Sequence, residues 1–424
     1  MKASLTASMR RTLLTLSLLH GTAGVLLAQG PQNYLVRFRE GTDRPSRAAA
    51  VRNAGAALGF NFNRVNVAAV RVPNANVLAA LLNHPSVLAV IPDRPIAAHQ
   101  AAHGKPGGGG GSAGQVVPRG VIRVGVPTSS SNGSGVGVAV VDTGVDLTHA
   151  DLNAVDSFNA FGGTCQDDEG HGTHVAGIVA ALDNGVDVLG VAPSAQVYCV
   201  KVLDGSGSGS DSNVMAGLEW VLDHFSTVTP AIKVVNMSLG RPGTVDDNPE
   251  LHALVTALDE AGVLVVVSAG NNSSTEVGDQ IPAGYPEVVA VASTTAQAGT
   301  NQCRNLASPI AADTASYFTT DGSDVTVSAP GEDQEDVSRS CFIKSVGILS
   351  TRLGGGTTRM SGTSMAAPHV AGIAARYFQA GFTASAIHQL LRSGDRVGIA
   401  PLDSPTVSYT FDGVREGIAK APSS

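Results

Sequence analysis

Residues 136–141 read V-G-V-A-V-V, a stretch in which every side chain is apolar or absent. Other strand-like stretches rich in Val, Ile and Ala occur at residues 196–202, 232–236, 263–268 and 288–293. Between them, apolar residues recur at the i, i+3, i+4 and i+7 spacing of a helix face, as at Val175, Ile178, Val179 and Leu182. Buried strands alternating with helices predict an α/β fold, a mostly parallel sheet with helices on both faces. The site of such a fold lies outside the carboxyl ends of the strands.

The composition is that of a globular protein with more than one domain. The chain has 424 residues, 43% of them hydrophobic and 15% charged, which leaves room for two or three domains. Its formal net charge is -8, and no basic stretch is interleaved with aromatic residues. We therefore expect no nucleic-acid partner.

The N-terminus has the layout of a secretory signal peptide. Lys2 and Arg10 precede an apolar run at residues 13–27, which is interrupted at His20. The run is too short and too interrupted for a membrane anchor, and small residues near its end suit a signal peptidase. We therefore expect residues 1–28 to be a signal peptide and the protein to be secreted, with no membrane anchor.

Export to an oxidising compartment allows the four cysteines to form disulfides. Four cysteines allow three connectivities. We favour Cys165–Cys199 with Cys303–Cys341, because each pair would staple one loop region of a single domain. A metal or nucleophilic role for Cys165 is disfavoured, since no C-x-x-C spacing and no neighbouring base is present.

The exported chain divides into three parts. Residues 32–98 alternate strand-like and helix-like stretches, with helix formers at 44–58, and predict a small α+β unit. Residues 99–114 contain a glycine run at 107–111, so this linker cannot bury a core and is open to cleavage. Residues 115–424 form the predicted α/β domain.

Asp142 stands directly after the first strand, in the motif V-V-D-T-G. On its own, D-T-G is typical of turns. It also occurs in pepsin-like aspartic proteases, which need two facing carboxylates. No second D-T-G or D-S-G is present, so that interpretation fails.

His171 begins the motif H-G-T-H-V-A-G, at the start of a predicted helix. A histidine in this position can point into a cleft and accept a proton. His171 and His174 could instead ligate zinc, but no glutamate lies between them and no third ligand is evident. We expect His174 to pack within the helix.

Ser364 lies in G-T-S-M-A-A-P-H-V, where a helix follows at once. Its hydroxyl would lie at the positive end of the helix dipole. Pro368 is expected in the first helical turn, where a missing N–H is tolerated. Taken alone, Ser364 could be no more than a helix N-cap.

Together the three motifs describe a catalytic triad. A serine hydroxyl is a poor nucleophile until an imidazole takes its proton, and that imidazole needs a buried carboxylate to fix its tautomer. The order Asp142, His171, Ser364 is one of the known orders for this arrangement. The motifs resemble those of the subtilase family over residues 115–380. The resemblance implies a subtilisin-like serine endopeptidase that acts through an acyl-enzyme.

The resemblance also implies how the substrate is held. V-V-V-S-A-G-N at residues 265–271 resembles the strand that delivers the family's oxyanion-hole asparagine, here Asn271. Two edges resemble those that pair with an extended peptide: Gly207, Ser208 and Gly209, and Ser238, Leu239 and Gly240. Recognition through the backbone suits broad specificity. For residues 207–209 alone, a flexible surface loop remains an alternative.

Members of the family often hold a structural calcium ion near the mature N-terminus, and the matching pattern is present here. The side-chain oxygens would come from Gln115, Asp151 and Asn184, and the backbone carbonyls from Leu182, Val186 and Val188. An all-oxygen set of this size suits calcium. The alternative is an ordinary Asn-Gly turn.

By the same resemblance, residues 32–98 would be an inhibitory propeptide that assists folding and blocks the cleft until autocleavage in the linker. An independent domain that stays attached is the alternative. The expected partners are protein and peptide substrates and the chain's own propeptide, with the protein a monomer.

Three competing classes of function fit the sequence less well. A lipase or esterase would have a G-x-S-x-G elbow and the order Ser, Asp, His. A binding module would not need a triad, and an inactive homologue would have lost part of it. The sequence therefore predicts an active enzyme.

Overall fold

The structure, a computed structural model, describes four stretches of the chain: residues 32–99, 114–393, 401–404 and 413–423. The expected signal peptide, residues 1–28, lies outside them, as does all of the expected linker except its first and last residues.

The N-terminal unit is a four-stranded antiparallel sheet with two helices, in the sheet order β2-β3-β1-β4. Its elements are β1 (Gln32–Phe38), α1 (Arg44–Ala54), β2 (Ala57–Asn61), β3 (Val67–Val72), α2 (Ala75–Leu82) and β4 (Val87–Pro92). Helix α1 begins at Asp43, whose side chain accepts a hydrogen bond from the Ser46 N–H. It ends earlier than the helix formers suggest, because Gly55 adopts a φ of 88° that terminates helices.

The rest of the chain alternates strands and helices. Its first half contains β5 (Pro95–Ala98), α3 (Arg119–Arg123), β6 (Gly137–Asp142), β7 (Ala154–Asn159), α4 (His171–Ala180), β8 (Gln196–Lys201), β9 (Ser208–Ser210), α5 (Asp211–His224), β10 (Ile232–Met237), β11 (Leu239–Pro242) and α6 (Pro249–Glu260). Its second half contains β12 (Leu264–Ser268), β13 (Gln280–Ile281), β14 (Val289–Thr295), β15 (Val327–Glu332), β16 (Gln334–Val337), β17 (Ile343–Val346), β18 (Ile348–Thr351), β19 (Thr357–Met360), α7 (Thr363–Gln379) and α8 (Ala384–Ser393).

Seven of these strands form one sheet in the order β15-β14-β12-β10-β6-β8-β7, and each adjacent pair is parallel. Strand β6 lies within it and is buried on both faces. Val138 and Val140 pack into one hydrophobic cluster with α4 and α7. Ala139 and Val141 pack into a second cluster with α5 and α6. The predicted α/β fold with helices on both faces is confirmed.

Two local expectations are wrong. Helix α4 ends at Ala180, so Leu182 lies beyond it and not on its apolar face. Pro368 lies in the second turn of α7, not the first, because the helix already begins at Thr363. Pro368 has no N–H to bond the carbonyl of Ser364, and that oxygen accepts a hydrogen bond from Ser238 Oγ at 2.9 Å instead.

The structure contains the two disulfides that we favoured, Cys165–Cys199 and Cys303–Cys341. The first joins the loop before α4 to strand β8. None of the helices in the described stretches is long and apolar enough to cross a membrane.

Candidate active site

Asp142 and His171 meet at the carboxyl end of the sheet. Asp142 is the last residue of β6, and its Oδ1 lies 2.7 Å from His171 Nδ1. The Thr143 N–H also donates to this oxygen at 2.7 Å. Both side chains are fully buried. Gly172 allows this approach, because a Cβ at that position would collide with the carbonyl oxygen of Gly144.

The surroundings of His171 favour a base that holds a proton well. Burial lowers the pKa of its imidazole, but the Asp142 carboxylate, with the charges of Glu169 and Asp167, outweighs burial, and the net pKa is raised above the ordinary value. Nε2 of the ring is buried and has no hydrogen-bond partner among the described residues. That nitrogen is therefore available as a proton acceptor, although the Ser364 hydroxyl bonds the carbonyl oxygens of His99 and Ser238 instead of it.

Ser364 lies in the first turn of α7, after Gly362 with its φ of 148°. The N-cap position belongs to Gly362, so the interpretation of Ser364 as a mere cap is wrong. Its Oγ lies 2.6 Å from the carbonyl oxygen of His99 and 3.0 Å from that of Ser238. The hydroxyl therefore contacts a peptide carbonyl and does not serve its own helix.

Asn271 follows β12 and faces the same carbonyl. Its Oδ1 accepts hydrogen bonds from the N–H and Oγ1 of Thr363, both at 2.9 Å. This fixes the amide so that Nδ2 points away from the helix and donates to the His99 oxygen at 2.6 Å. A single carbonyl oxygen thus contacts both the Ser364 hydroxyl and Asn271 Nδ2, which puts the Asn271 amide in the position of one oxyanion-hole donor.

The two predicted substrate edges flank an extended peptide, which is strand β5 of the chain itself. Strand β5 pairs antiparallel with β9 on one side and with β11 on the other. The Ala98 N–H donates to the Gly207 oxygen at 3.0 Å, and the His99 N–H donates to the Ser238 oxygen at 3.1 Å. The remaining predicted positions pair with the strand in register: Ser208 and Gly209 on β9, and Leu239 and Gly240 on β11.

Sequence reasoning missed two charged residues beside the triad. Asp167 accepts from Thr143 Oγ1 through one oxygen, and from the N–H and Oγ1 of Thr173 through the other. It thereby joins the end of β6 to the start of α4. Lys201 is buried, and its Nζ donates to the carbonyl oxygens of Thr143 and Leu203. An acid just before a helix was a usable signal for Asp167, whereas Lys201 sits in a strand pattern that gave none.

The residues predicted to hold calcium lie together at the loop that follows the C-terminal end of α4. The amide nitrogen of Gln115 lies 2.5 Å from the Leu182 oxygen, 3.2 Å from the Val188 oxygen and 3.5 Å from the Val186 oxygen. Asp151 accepts from the Val188 N–H through Oδ2, and its buried Oδ1 has no partner in the part of the chain that the structure describes.

The Asp151 carboxylate is only partly stabilised by its surroundings. Burial raises the pKa of Asp151 to about 6. The side-chain oxygen of Asn184 accepts from the Val186 N–H at 2.8 Å. No cluster of three or more His, Cys, Asp or Glu side chains in the described stretches could hold a metal, so any cation here would depend on carbonyl and amide oxygens.

Comparisons with known proteins identify the family. Residues 133–394, more than half of the chain, match the Subtilase family. Subtilisin E of Bacillus subtilis (strain 168) is 36% identical over 355 residues, covering 81% of this chain and 79% of that protein. Subtilisin Savinase of Lederbergia lenta is 40% identical over 266 residues, covering 62% of this chain and 84% of that protein.

Two further comparisons define the extent of the likeness. M-protease of Shouchella clausii (strain KSM-K16) is 40% identical over 266 residues, and the matched part spans 59% of its length. The crystal structure of a cold adapted subtilisin-like serine proteinase matches with a TM-score of 0.54 and 31% identity, covering 70% of this chain and 92% of that one. The chain therefore belongs to the subtilase family and is a subtilisin-like serine protease.

Proposed function

We propose that this protein is a secreted serine endopeptidase, made as a precursor and matured by its own activity. The observation that carries the proposal is the carbonyl oxygen held between Ser364 Oγ and Asn271 Nδ2, at 2.6 Å from each. Beside it, Asp142 orients His171 through Nδ1 and leaves Nε2 free.

The reaction follows from these positions. Nε2 of His171 takes the proton of Ser364 Oγ, and the oxygen attacks the carbonyl carbon of the bound peptide. The negative charge that develops on the carbonyl oxygen is stabilised by Asn271 Nδ2 and the Ser364 N–H. His171 passes its proton to the leaving amine, and water then hydrolyses the acyl-enzyme. Asp142 stays ionised throughout and stabilises the charged imidazole.

The N-terminal unit fits the role of an inhibitory propeptide. Asp93 accepts from the N–H and Oγ of Ser212, in the first turn of α5. Glu219 on the same helix accepts from the backbone N–H groups of Asn63 and Arg64. The negative charge of Asp93 at the first turn of α5 suits the positive end of that helix. Together they support a unit that docks on α5 and places its C-terminal strand in the cleft.

Further ion pairs join the unit to the start of α6 and the residues before it, such as Arg37 with Glu250 and Arg94 with Asp247. Pairs that solvent still reaches contribute little to affinity, about 0–1 kcal/mol each. We therefore assign most of the docking free energy to strand β5 and the contacts on α5.

Broad specificity is supported by the way the cleft holds its peptide. Strand β5 is bound by main-chain pairing on both edges, and such pairing depends on the peptide backbone more than on the side chains. Protein and peptide substrates in general are therefore the proposed partners.

Calcium is proposed as a structural ion. A half-turn of the Gln115 amide would place its oxygen among the carbonyls of Leu182, Val186 and Val188, beside the partnerless Oδ1 of Asp151. Asn184 would complete the set after releasing the Val186 N–H. Hard oxygen donors of this kind suit calcium, and the bound ion would fix the loop that follows α4.

The test is to express the full chain in a protease-free secreting host and to compare it with Ser364→Ala. The wild type should appear in the medium as a shortened protein that digests casein, and the variant as an uncleaved, folded precursor without activity. Shortening of the variant by itself would contradict self-processing. Wild-type protein that stays inside the cells would contradict secretion.

A further inference from the structure

The carbonyl group of His99 occupies the position expected for the peptide bond that is cleaved. The carbonyl oxygen contacts both Ser364 Oγ and Asn271 Nδ2 at 2.6 Å, while the N–H of His99 bonds the oxygen of Ser238. Oxyanion donors are arranged around the carbonyl under attack. The carbonyl that they hold therefore identifies the reacting bond of the precursor, within a linker where the sequence alone left the cleavage point open.

The side chain of His99 is held as specifically as its backbone. Nδ1 of the imidazole lies 2.8 Å from Ser268 Oγ, the last residue of β12. The ring rests on the backbone of Gly240, where a Cβ would lie 2.5 Å from Cε1 and 2.7 Å from Nε2. Any side chain at position 240 would therefore displace the ring, and glycine there makes room for a flat side chain.

The two residues shown in contact with the ring, Ser268 and Gly240, carry no charge. Ser268 offers a hydroxyl and Gly240 only backbone. A buried charge without a counter-charge is costly, whereas a buried polar group with one hydrogen bond is not. Burial, and to a smaller extent the charge of His171, lowers the pKa of His99. Both features favour an uncharged, hydrogen-bonding side chain in this pocket.

We propose that the bond between His99 and Gln100 is the first bond the enzyme cleaves, and that the pocket at Ser268 and Gly240 selects an uncharged imidazole. The mature enzyme then also cleaves peptides after histidine. This inference rests on the proposed function. It adds to it the peptide bond that is cleaved and the side chain that the pocket recognises.

The step balances without a further reactant except water. Ser364 Oγ bonds the carbonyl carbon of His99, and its proton passes through His171 to the nitrogen of Gln100 as the carbon–nitrogen bond breaks. Water then releases His99 as a free carboxylate and restores the Ser364 hydroxyl. The products are an N-terminal fragment ending at His99 and an enzyme beginning at Gln100.

The direct test is the mass of the N-terminal fragment released when purified full-length precursor refolds. The C-terminus of that fragment does not change if the enzyme later trims its own new N-terminus. We expect the earliest fragment to end at His99. An earliest fragment ending at any other residue overturns the proposal.

Side-chain selection is tested by the rate of that first cleavage in three variants. His99→Gln keeps an uncharged hydrogen-bonding group, and we expect a rate within about threefold of the wild type. His99→Lys should slow cleavage at this bond by about tenfold or more. The matched control is His103→Lys, the same charge change four residues later in the sequence, which should leave the rate unchanged. Equal rates for His99→Lys and the wild type overturn the selection.

Failure of this inference is distinguishable from failure of the proposed function. Each preparation is also treated with a fluorophosphonate, which labels an activated serine wherever the precursor is cut. Labelled enzyme with a cut elsewhere overturns the His99 assignment alone. Folded protein with neither label nor cut overturns both.

Discussion

Two clusters of polar groups differ in how they are satisfied. In the cleft, the Ser364 hydroxyl and the Asn271 amide both donate to one oxygen of the chain's own peptide. Beyond α4, by contrast, the carbonyl oxygens of Leu182 and Val188 share one amide, and Oδ1 of Asp151 has no donor within the described stretches. Unsatisfied buried polar groups cost about 1–3 kcal/mol each.

The comparison separates a site that works with protein groups alone from a loop whose oxygen atoms suit a bound cation. The cleft takes its catalytic groups from the protein, and Nε2 of His171, which has no partner among the described residues, is the base that the proposed reaction uses. The oxygen-rich loop has no such use for the free oxygen of Asp151, and we expect its stability to depend on an ion from the solution. The predictions below perturb the two clusters separately, from the largest expected effect to the smallest.

Asp142→Asn should have the largest effect, because an amide no longer fixes the tautomer of His171 or stabilises its charged form. We expect kcat to fall about 10⁴-fold on a peptide substrate, with the fold retained. The pKa of His171 should also fall, because the Asp142 carboxylate raises it. In the wild type kcat/KM should decrease as the pH drops through that raised pKa. The control is the exposed Asp246→Asn, and equal losses for both variants would refute the role of Asp142.

Asn271→Ala should come next, because it removes one donor of the oxyanion hole and leaves the triad intact. We expect kcat to fall by about 10²–10³, the range found for this kind of donor in a subtilisin, with little change in KM. The neighbouring Asn272→Ala is the control, since its side chain only caps a local turn. A loss confined to KM would show that Asn271 binds the substrate without stabilising the intermediate.

Calcium removal should affect the second cluster and not the first. At calcium concentrations 100 times Kd the ion would contribute about 2.7 kcal/mol, so a chelator should lower Tm by roughly 4 °C. Asp151→Asn should abolish most of this shift, while the exposed Asp183→Asn in the same loop should keep it. Identical Tm values with chelator and with excess calcium would contradict the proposed calcium site.

The smallest predicted effect is a pH dependence of histidine recognition. Burial lowers the pKa of His99 in the cleft to about 4, and the charge of His171 contributes; Ser268 and Gly240, which contact the ring, do not titrate. Binding should therefore be fully favourable above pH 6.5 and weaken below it, by about tenfold at pH 5.5. The ratio of kcat/KM for a histidine peptide to that for its phenylalanine counterpart isolates this effect from the titration of His171. A ratio independent of pH would contradict it.

The fold was predictable because strand β6 and its neighbours are buried on both faces and so are apolar throughout. Positions that depend on tertiary contacts could not be predicted from the sequence. Leu182 fits a helix face by its spacing, yet the chain leaves α4 two residues earlier. Pro368 was misplaced by one turn because the start of a helix depends on backbone geometry at Gly362, which composition does not specify.

For the candidate site, the motifs around Asp142, His171 and Ser364 could be read from the sequence, since each residue type has a required chemical role. The role of His99 could not. It follows a strand of ordinary composition, and only the pairing of β5 with β9 and β11 places its carbonyl at Asn271. Lys201 was hidden for a similar reason, because its strand pattern gave no sign that its ammonium bonds carbonyls beside the triad.

The central claim is that His171 activates Ser364, and fluorophosphonate labelling followed by peptide mapping tests it most directly. Purified wild-type enzyme should carry the label on Ser364 at one equivalent per chain, and His171→Ala, folded by circular dichroism, should label at least ~10³ times more slowly. A wild type that remains unlabelled, a label on another residue, or equal labelling rates in the two proteins would contradict the account.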